Sequence, residues 1–487
     1  MLCLPPSSAT LTDGATLLID GEWSSADHTF NRFDPSVAHK IVGTFASATA
    51  GHVSRAYEAA AGAQIGWSHA PAVQRANILR HAADLLEMRI EKGARRLTAD
   101  TGKAIRAARA EILHSAALLR YFAGELLQPS GEFYPSADTR TAVLTVEVPV
   151  GIVCVVTPWS FPFALPTSKL APAIGFGNTV VWKPAQAASG SAVFLTETLI
   201  EAGLPSGVLN LVTGDGRSLS TSLTGDFRLT ALSFTGSRDV GLGLRKGVAD
   251  RNIRVEVGGA EKSPAVVLAD ADLEDAAAQI VRGAMLTSGT RCAAVNHVYV
   301  QHRVMAEFSS LLRERVSRLV VGDPYDETTD TGPISVDQRA TVAEVLEHAH
   351  DEGAHVIFGG MDNQGGCSMK PTATTGVAAS RHLLREEIFG PVFVLTEVED
   401  FEVALAGTNG TRFGPGAGLF TSDIAIAMKF ARRSNSGVVH INHGAASDEP
   451  GAPLDAFEVP GSMCRGQGKA ARAFFTTAKT VYLRTPN

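Results

Sequence analysis

A chain of 487 residues with 45% hydrophobic and 19% charged residues is long enough for two large domains and buries ample surface without covalent staples. Its formal net charge of -7 denies it the basic footprint that a nucleic-acid partner requires. The five cysteines, Cys3, Cys154, Cys292, Cys367 and Cys464, are too few and too scattered for a disulfide framework or a zinc site built from CxxC pairs, which fits a reducing cytoplasm.

Met1 to Leu17 lacks a basic n-region and a continuous apolar h-region, so neither a targeting signal nor a membrane partner is expected; no apolar run approaches the length of a membrane span. Residues 51–125 alternate apolar and charged positions at helical spacing, as in Arg75 to Glu87, and predict amphipathic helices. From 141 the texture changes: Ala142 to Val150 alternates like a strand, and Ile152 to Val156 is a short strand of the fully buried kind. Further strand-like runs, Thr179 to Trp182, Val208 to Val212 and Ala231 to Phe234, are separated by helical stretches. That alternation predicts a parallel sheet with helices on both faces. A second α/β series starts at Ala265 to Leu268 and returns at His297 to Val300, His355 to Phe358, Val392 to Leu395 and Gly437 to Ile441. The last run, Thr480 to Leu483, reads as a strand that pairs with the 142–150 segment of this or another subunit.

The chemistry concentrates at two residues. Cys292 lies in Ser288-Gly289-Thr290-Arg291-Cys292-Ala293-Ala294, and Glu256 lies thirty-six positions earlier in Val255-Glu256-Val257-Gly258-Gly259. A thiolate attacks an electrophilic carbon well, and a partly buried carboxylate activates a thiol or a later water. Together they point to covalent chemistry on a carbonyl.

The chain resembles the aldehyde dehydrogenase superfamily from about Leu18 to Leu483. The resemblance rests on Asp20 to Trp23, Thr101-Gly102-Lys103, Thr157 to Pro162, Gly177 to Pro184, Gly203 to Asn210, Phe234 to Ser237, Glu256 to Gly259, Cys292 and Glu386 to Pro391, in the family's order. It implies an α/β fold of two Rossmann-type domains: a cofactor-binding domain over 1–130 and 151–255, a catalytic domain over 256–445, and a small β oligomerisation element over 131–150 and 466–487. It also implies NAD or NADP as cofactor, a small-molecule aldehyde substrate and a homodimer or homotetramer. Cys292 would form a hemithioacetal, hydride would leave for the nicotinamide, and Glu256 would activate the water that cleaves the thioester. Ser160 and Lys169 match active-site positions. Thr157, Trp159, Lys183, Gln186, Gly216, Phe234, Thr235, Gly236, Ser237, Val240, Glu387 and Phe389 match cofactor positions, with Lys183 on the adenosine ribose and Glu387 and Phe389 on the nicotinamide side.

Several positions depart from the family pattern. Ser160 stands where an asparagine usually completes the oxyanion hole, and loss of one such donor lowers turnover by about a hundred- to a thousandfold. Gln186 replaces a glutamate that repels a 2′-phosphate, which points to use of both NAD and NADP. Thr290 replaces a glutamine, an insertion falls around Ala260-Glu261, and Pro453 to Gly461 lacks the usual glycine pair. The flanks of that last segment resemble the 2-oxoglutarate semialdehyde dehydrogenase branch and point toward a polar semialdehyde. Two other readings stay open at this point: a CoA-acylating member, against which Glu256 argues, and a weakly active or non-catalytic paralogue serving as a binding or scaffold subunit.

No metal site is expected. His348, His350, Asp351 and His355 read as a helix end followed by a strand, and Asp270 and Asp272 read as a capped helix start.

Overall fold

The computed structural model describes residues 14–37, 39–259, 263–291, 294–360, 367–377, 383, 388–410, 416–444, 449–454 and 467–486. The chain begins with four short strands, β1 (Leu17–Ile19), β2 (Glu22–Ser24), β3 (Thr29–Phe33) and β4 (Ile41–Ala46). The amphipathic stretch then forms α1 (Ala50–Ser68), α2 (Ala72–Met88), α3 (Ile90–Thr101) and α4 (Ile105–Glu125). β5 (Phe133–Tyr134) and β6 (Thr141–Pro149) lead into β7 (Ile152–Thr157), α5 (Ala164–Gly175), β8 (Thr179–Pro184), α6 (Ser189–Glu201), β9 (Leu209–Leu211), α7 (Gly216–Gly225), β10 (Leu229–Gly236), α8 (Arg238–Lys246) and β11 (Arg254–Gly259).

These strands form a seven-stranded sheet in the order β11-β10-β7-β8-β9-β1-β2. The five strands from β11 to β9 run parallel, and β1 and β2 close the far edge antiparallel. Every residue of β7 and β8 is buried, as expected where helices cover both faces. The two-residue period of the strand divides them: Val153, Val155, Val180 and Trp182 enter the core under α2 to α6, whereas Ile152, Cys154, Val156 and Val181 enter the core under α1, α7 and α8.

The second series comprises β12 (Ser263–Val267), α9 (Leu273–Met285), β13 (Val295–Gln301), α10 (Met305–Ser317), α11 (Val336–Asp351), β14 (His355–Phe358), β15 (Thr372–Thr375), β16 (Val392–Val398), β17 (Gly416–Phe420) and β18 (Val438–Ile441). Its sheet runs β14-β15-β16-β13-β12-β17-β18 and is parallel except for the β14–β15 edge. The terminal strand β19 (Thr476–Arg484) pairs antiparallel with β6 along nine residues, within one chain.

The expected strands form at the read positions. The antiparallel edges and β1 to β4 were not anticipated, because short strands tied down by distant partners carry little pattern of their own. The helix end read at 348–355 and the capped helix start read at 270–272 both form. His348 and His350 end α11, just before β14, and no metal-competent cluster occurs among the described residues. Asp272 caps α9 through Asp275 N–H at 3.0 Å, while Asp270 accepts from Thr421 Oγ1 and the Ser422 and Asp423 N–H groups. No described helix is long and apolar enough to cross a membrane.

Candidate active site

Parallel strands end on a common edge, and the register brings four candidate segments to it. Val156 of β7 faces Phe234 of β10 and Lys183 of β8, Thr157 faces Pro184, and Thr235-Gly236 faces Gly258-Gly259 of β11. The carboxyl ends of parallel strands are where open α/β sheets bind ligands.

Glu256, three residues into β11, pairs in register with Ser233 of β10. α5 packs on the same sheet and supplies Lys169. The Lys169 ammonium donates to Ser233 Oγ at 2.9 Å and lies 3.2 Å from Glu256 Oε1, while Ser233 Oγ donates to Glu256 Oε2 at 2.8 Å. All three are buried, with 5% of each charged side chain exposed. A buried carboxylate is tolerable only when paired and hydrogen-bonded, and this closed triangle meets both conditions. Lys169 and Glu256 were both singled out in the sequence; Ser233 was not, because nothing in one strand shows which hydroxyl faces a carboxylate on the next.

The turn between β7 and α5 carries Trp159, Ser160 and Phe161. Its anchor is a pair missed by the sequence reading. The buried Lys103 ammonium pairs with the Glu111 carboxylate and donates to the Ser160 carbonyl at 3.0 Å. Glu111 Oε1 in turn accepts from the N–H groups of Phe163 at 2.8 Å and Ala164 at 3.2 Å. Lys103 also sits 3.7 Å from the Phe161 ring centroid. The signal lay in Thr101-Gly102-Lys103: Gly102 ends α3 at φ +76°, and a Cβ there would meet the Pro333 carbonyl at 2.4 Å, so only glycine turns Lys103 inward without strain.

The second half closes on this turn. Phe389 meets Trp159 edge to face at 5.5 Å, and the Arg291 guanidinium lies 5.5 Å from the Phe161 ring. Thr287, Ser288 and Gly289 take consecutive left-handed conformations with φ of 62°, 56° and 66°. A Cβ on Gly289 would lie 2.0 Å from the Gly390 carbonyl oxygen, so glycine is required for the close approach as well as for φ. Thr290 Oγ1 donates to the Thr287 carbonyl at 2.6 Å and Ala294 N–H to the Arg291 carbonyl at 3.0 Å. Cys292, Glu387, the 260–261 insertion and the 455–461 part of the altered loop lie outside the described residues. Of the described thiols, Cys154 is pushed up to about 12 by burial and Cys367 is also raised by burial, so neither is an activated nucleophile.

The cofactor candidates gather along the same edge. Lys183 is 6% exposed and its amine makes no hydrogen bond among the described residues. Burial pushes it down to about 8, against the opposing pull of Asp215. A Cβ on Gly216 would lie 3.1 Å from the Lys183 nitrogen, so the glycine keeps the approach to that amine clear. Asp215 caps α7 by accepting from Ser218 N–H at 2.9 Å, and that bond, the largest influence on it, holds its carboxyl below the usual range. Ser237 is the N-cap of α8 yet makes no side-chain cap bond, which leaves the first amides of that helix directed outward as anion donors. Phe234 is buried beneath that turn, Val240 is exposed on α8, and Gln186 is half-buried in the turn after β8. Thr157 Oγ1 accepts from the Trp182 indole at 2.9 Å, so that hydroxyl holds the sheet edge together. A buried amine that makes no hydrogen bond among the described residues and sits beside a glycine, together with an uncapped helix start on the same sheet, suits the hydroxyls and phosphates of a dinucleotide.

Residues 23–481 match the model of the aldehyde dehydrogenase family. The chain is 35% identical over 486 residues to the alpha-ketoglutaric semialdehyde dehydrogenase of Bacillus subtilis (strain 168), covering 98% of this chain and 100% of that protein. It is 36% identical over 423 residues to the 2,5-dioxopentanoate dehydrogenase of Saccharolobus solfataricus, covering 85% of this chain and 88% of that protein. The crystal structure of an NAD-dependent aldehyde dehydrogenase from Sinorhizobium meliloti superposes with a TM-score of 0.92 at 30% identity, over 97% of this chain and 95% of that one. With a family match spanning nearly its whole length and a fold to agree, this chain belongs to the aldehyde dehydrogenase family.

Proposed function

We propose that this protein oxidises an aldehyde to its carboxylic acid with NAD or NADP, with Cys292 as nucleophile and Glu256 as hydrolytic base. The observation that carries the reading is the buried Lys169–Ser233–Glu256 triangle on the sheet whose carboxyl edge holds the buried Lys183 amine. A buried carboxylate, one strand from a hydroxyl that orients it, suits a base that acts on water. Such a base has no use in a CoA-acylating enzyme, where another thiol takes the acyl group.

In this reading the Cys292 thiolate adds to the carbonyl carbon, giving a hemithioacetal alkoxide. Ser160 and the Cys292 backbone N–H stabilise that oxyanion, and the Lys103–Glu111 pair holds the Ser160 turn in place. A nicotinamide ring held beside Trp159 and Phe389 would supply the hydride acceptor, so that collapse of the alkoxide would leave a thioester on Cys292. Glu256 then takes a proton from water, the hydroxide adds to the thioester carbon, and the acid departs as the thiol is regenerated. Lys169 and Ser233 hold the carboxylate for that step and give the proton a route away from it.

Lys183 and Gly216 would hold the adenosine ribose, Gln186 would tolerate its 2′-position, and the α8 amides after Thr235, Gly236 and Ser237, with Val240 alongside, would hold the pyrophosphate. Trp159, Phe389 and Glu387 would hold the nicotinamide end. Residues 1–130 with 151–255 form the cofactor-binding unit, 256–445 the catalytic unit, and 131–150 with 466–487 the surface through which subunits join as dimers or tetramers in the cytoplasm. A polar semialdehyde is the substrate class supported by the two relatives named above.

The test is the appearance of reduced cofactor, followed by absorbance with NAD and with NADP, across a panel of semialdehydes. Wild-type protein should respond and Cys292→Ala should be silent while still binding dinucleotide. A wild type that binds the dinucleotide but oxidises no aldehyde refutes the reading.

A further inference from the structure

We infer that Arg254 is a positioning residue for the proposed base: it ties the start of the strand that carries Glu256 to the C-terminal segment, and so sets where the carboxylate stands. The inference rests on the proposed function and assigns a support for the base of that same site.

Arg254 opens β11 and stands two residues before Glu256, so the strand period turns both side chains to the same face, about 7 Å apart along the chain. Among the described residues β11 is an edge strand whose only ladder is to β10. A strand at the edge lacks the second ladder that fixes an inner strand, and its placement falls to side-chain contacts. Arg254 supplies one. Its Nη1 donates to the carbonyls of Ala473 at 2.6 Å and Phe474 at 2.9 Å, and also to that of Thr476. Those carbonyls end the short helix Ala470–Phe475 and begin β19. The last carbonyls of a helix have no partner within it, and a cation there is favoured by charge as well as by hydrogen bonding.

That helix is itself anchored. Arg472 donates to the Pro129 carbonyl at 3.2 Å and to Glu147 Oε2 at 3.0 Å, while the Phe475 carbonyl accepts from Val150 N–H at 3.2 Å and Asn178 Nδ2 at 3.0 Å. Phe474 and Phe475 are buried in the same core as Leu170, Ala173 and Ile174 of α5, the helix that supplies Lys169. One short helix therefore abuts both elements that meet at the 3.2 Å Lys169–Glu256 contact: β11 through Arg254 and α5 through the two phenylalanines. The neighbouring Arg251 serves a different end, donating to the Thr224 and Leu229 carbonyls and tying the approach to β11 to α7 and β10.

Stopped-flow measurement of reduced cofactor separates the first turnover from the steady state, and only the latter needs the base that cleaves the thioester. Arg254→Met should leave the first-turnover rate constant unchanged and lower steady-state turnover by about 10- to 100-fold, the scale of a misplacement of about 1 Å. All three bonds come from one nitrogen, so Arg254→Lys, whose ammonium also carries several donors, should turn over faster than Arg254→Met in the steady state. If Arg254→Met does not fold, Arg254→Lys should show the same split against wild type in weaker form. Arg228→Met, which breaks bonds to Asp226 and the Ser54 carbonyl, should show no split. A readout independent of turnover is amide hydrogen exchange: peptides over 254–259 should exchange at least about tenfold faster in Arg254→Met, while those over 152–157 match wild type. Equal losses in the first turnover and the steady state, no loss in either, Arg254→Lys no faster than Arg254→Met, the same split in Arg228→Met, or unchanged exchange at 254–259 overturns the inference. If wild-type protein oxidises no aldehyde, the proposed function fails by itself, and hydrogen exchange still decides whether Arg254 holds β11.

Discussion

Replacing Lys183 by methionine should stabilise the protein without cofactor while weakening its grip on the dinucleotide. Lys183 is 6% exposed, its amine bonds to nothing among the described residues, and burial pushes it from 10.5 down to about 8. That difference corresponds to roughly 3 kcal/mol of penalty on the charged form. Below about pH 8 the folded and unfolded chains both carry the proton, and the folded state bears the whole penalty. Between about 8 and 10.5 the unfolded chain holds more protons, so the contribution of Lys183 to stability rises with pH. Above 10.5 both states are neutral and the penalty is gone. Methionine fills a similar volume without charge. At pH 7 the variant should therefore gain up to roughly 3 kcal/mol, about 3 °C in melting temperature for a chain of this length unfolding as one unit. The gain should dwindle as pH climbs from 8 to 10.5. The same variant should bind NAD at least about tenfold more weakly, having lost a hydrogen bond from a charged donor. Paired thermal melts at several pH values, with dinucleotide titrated separately, check both halves. A variant no more stable than wild type at pH 7, or a difference that persists undiminished at pH 10.5, refutes the reasoning.

Lys103→Met leaves Glu111 buried with only backbone donors from Phe163 and Ala164, and breaking such a pair costs about 3–5 kcal/mol. Denaturant unfolding should show that loss, and Lys103→Met with Glu111→Gln should recover at least half of it; a double variant as unstable as the sum of its parts rejects the pairing. Ser233→Ala removes the donor to Glu256 Oε2 and the acceptor for Lys169. Turnover should fall by about tenfold, with a rapid burst of reduced cofactor as deacylation becomes limiting; unchanged steady-state turnover would remove Ser233 from the base's support.

How much of this was readable beforehand differs by element. The short, nearly continuous apolar runs at 152–156, 179–182 and 265–268 announced buried parallel strands, and β7, β8 and β12 stand there. Their apolar residues could satisfy no other arrangement. The strand carrying Glu256 was less visible, since Arg254 to Gly259 alternates weakly and ends in two glycines; it becomes strand by pairing with β10. Glu256 and Lys169 were identifiable as candidates because their neighbours match a family, yet their 3.2 Å separation spans 87 positions of chain.

Local composition by itself marked the buried central strands and the amphipathic helices, because burial on two faces and amphipathic periodicity leave their marks on adjacent residues. It also settled the chemical repertoire: a thiol beside a cation, a carboxylate before two glycines, a lysine closing a buried strand. Tertiary structure alone decided that Ser233 orients Glu256, that Lys103 props the Ser160 turn, and that Arg291 rests on Phe161. Those contacts join residues tens to hundreds of positions apart, and an ion pair or ring contact of that reach depends on how sheets and helices pack, which no run of neighbouring residues encodes.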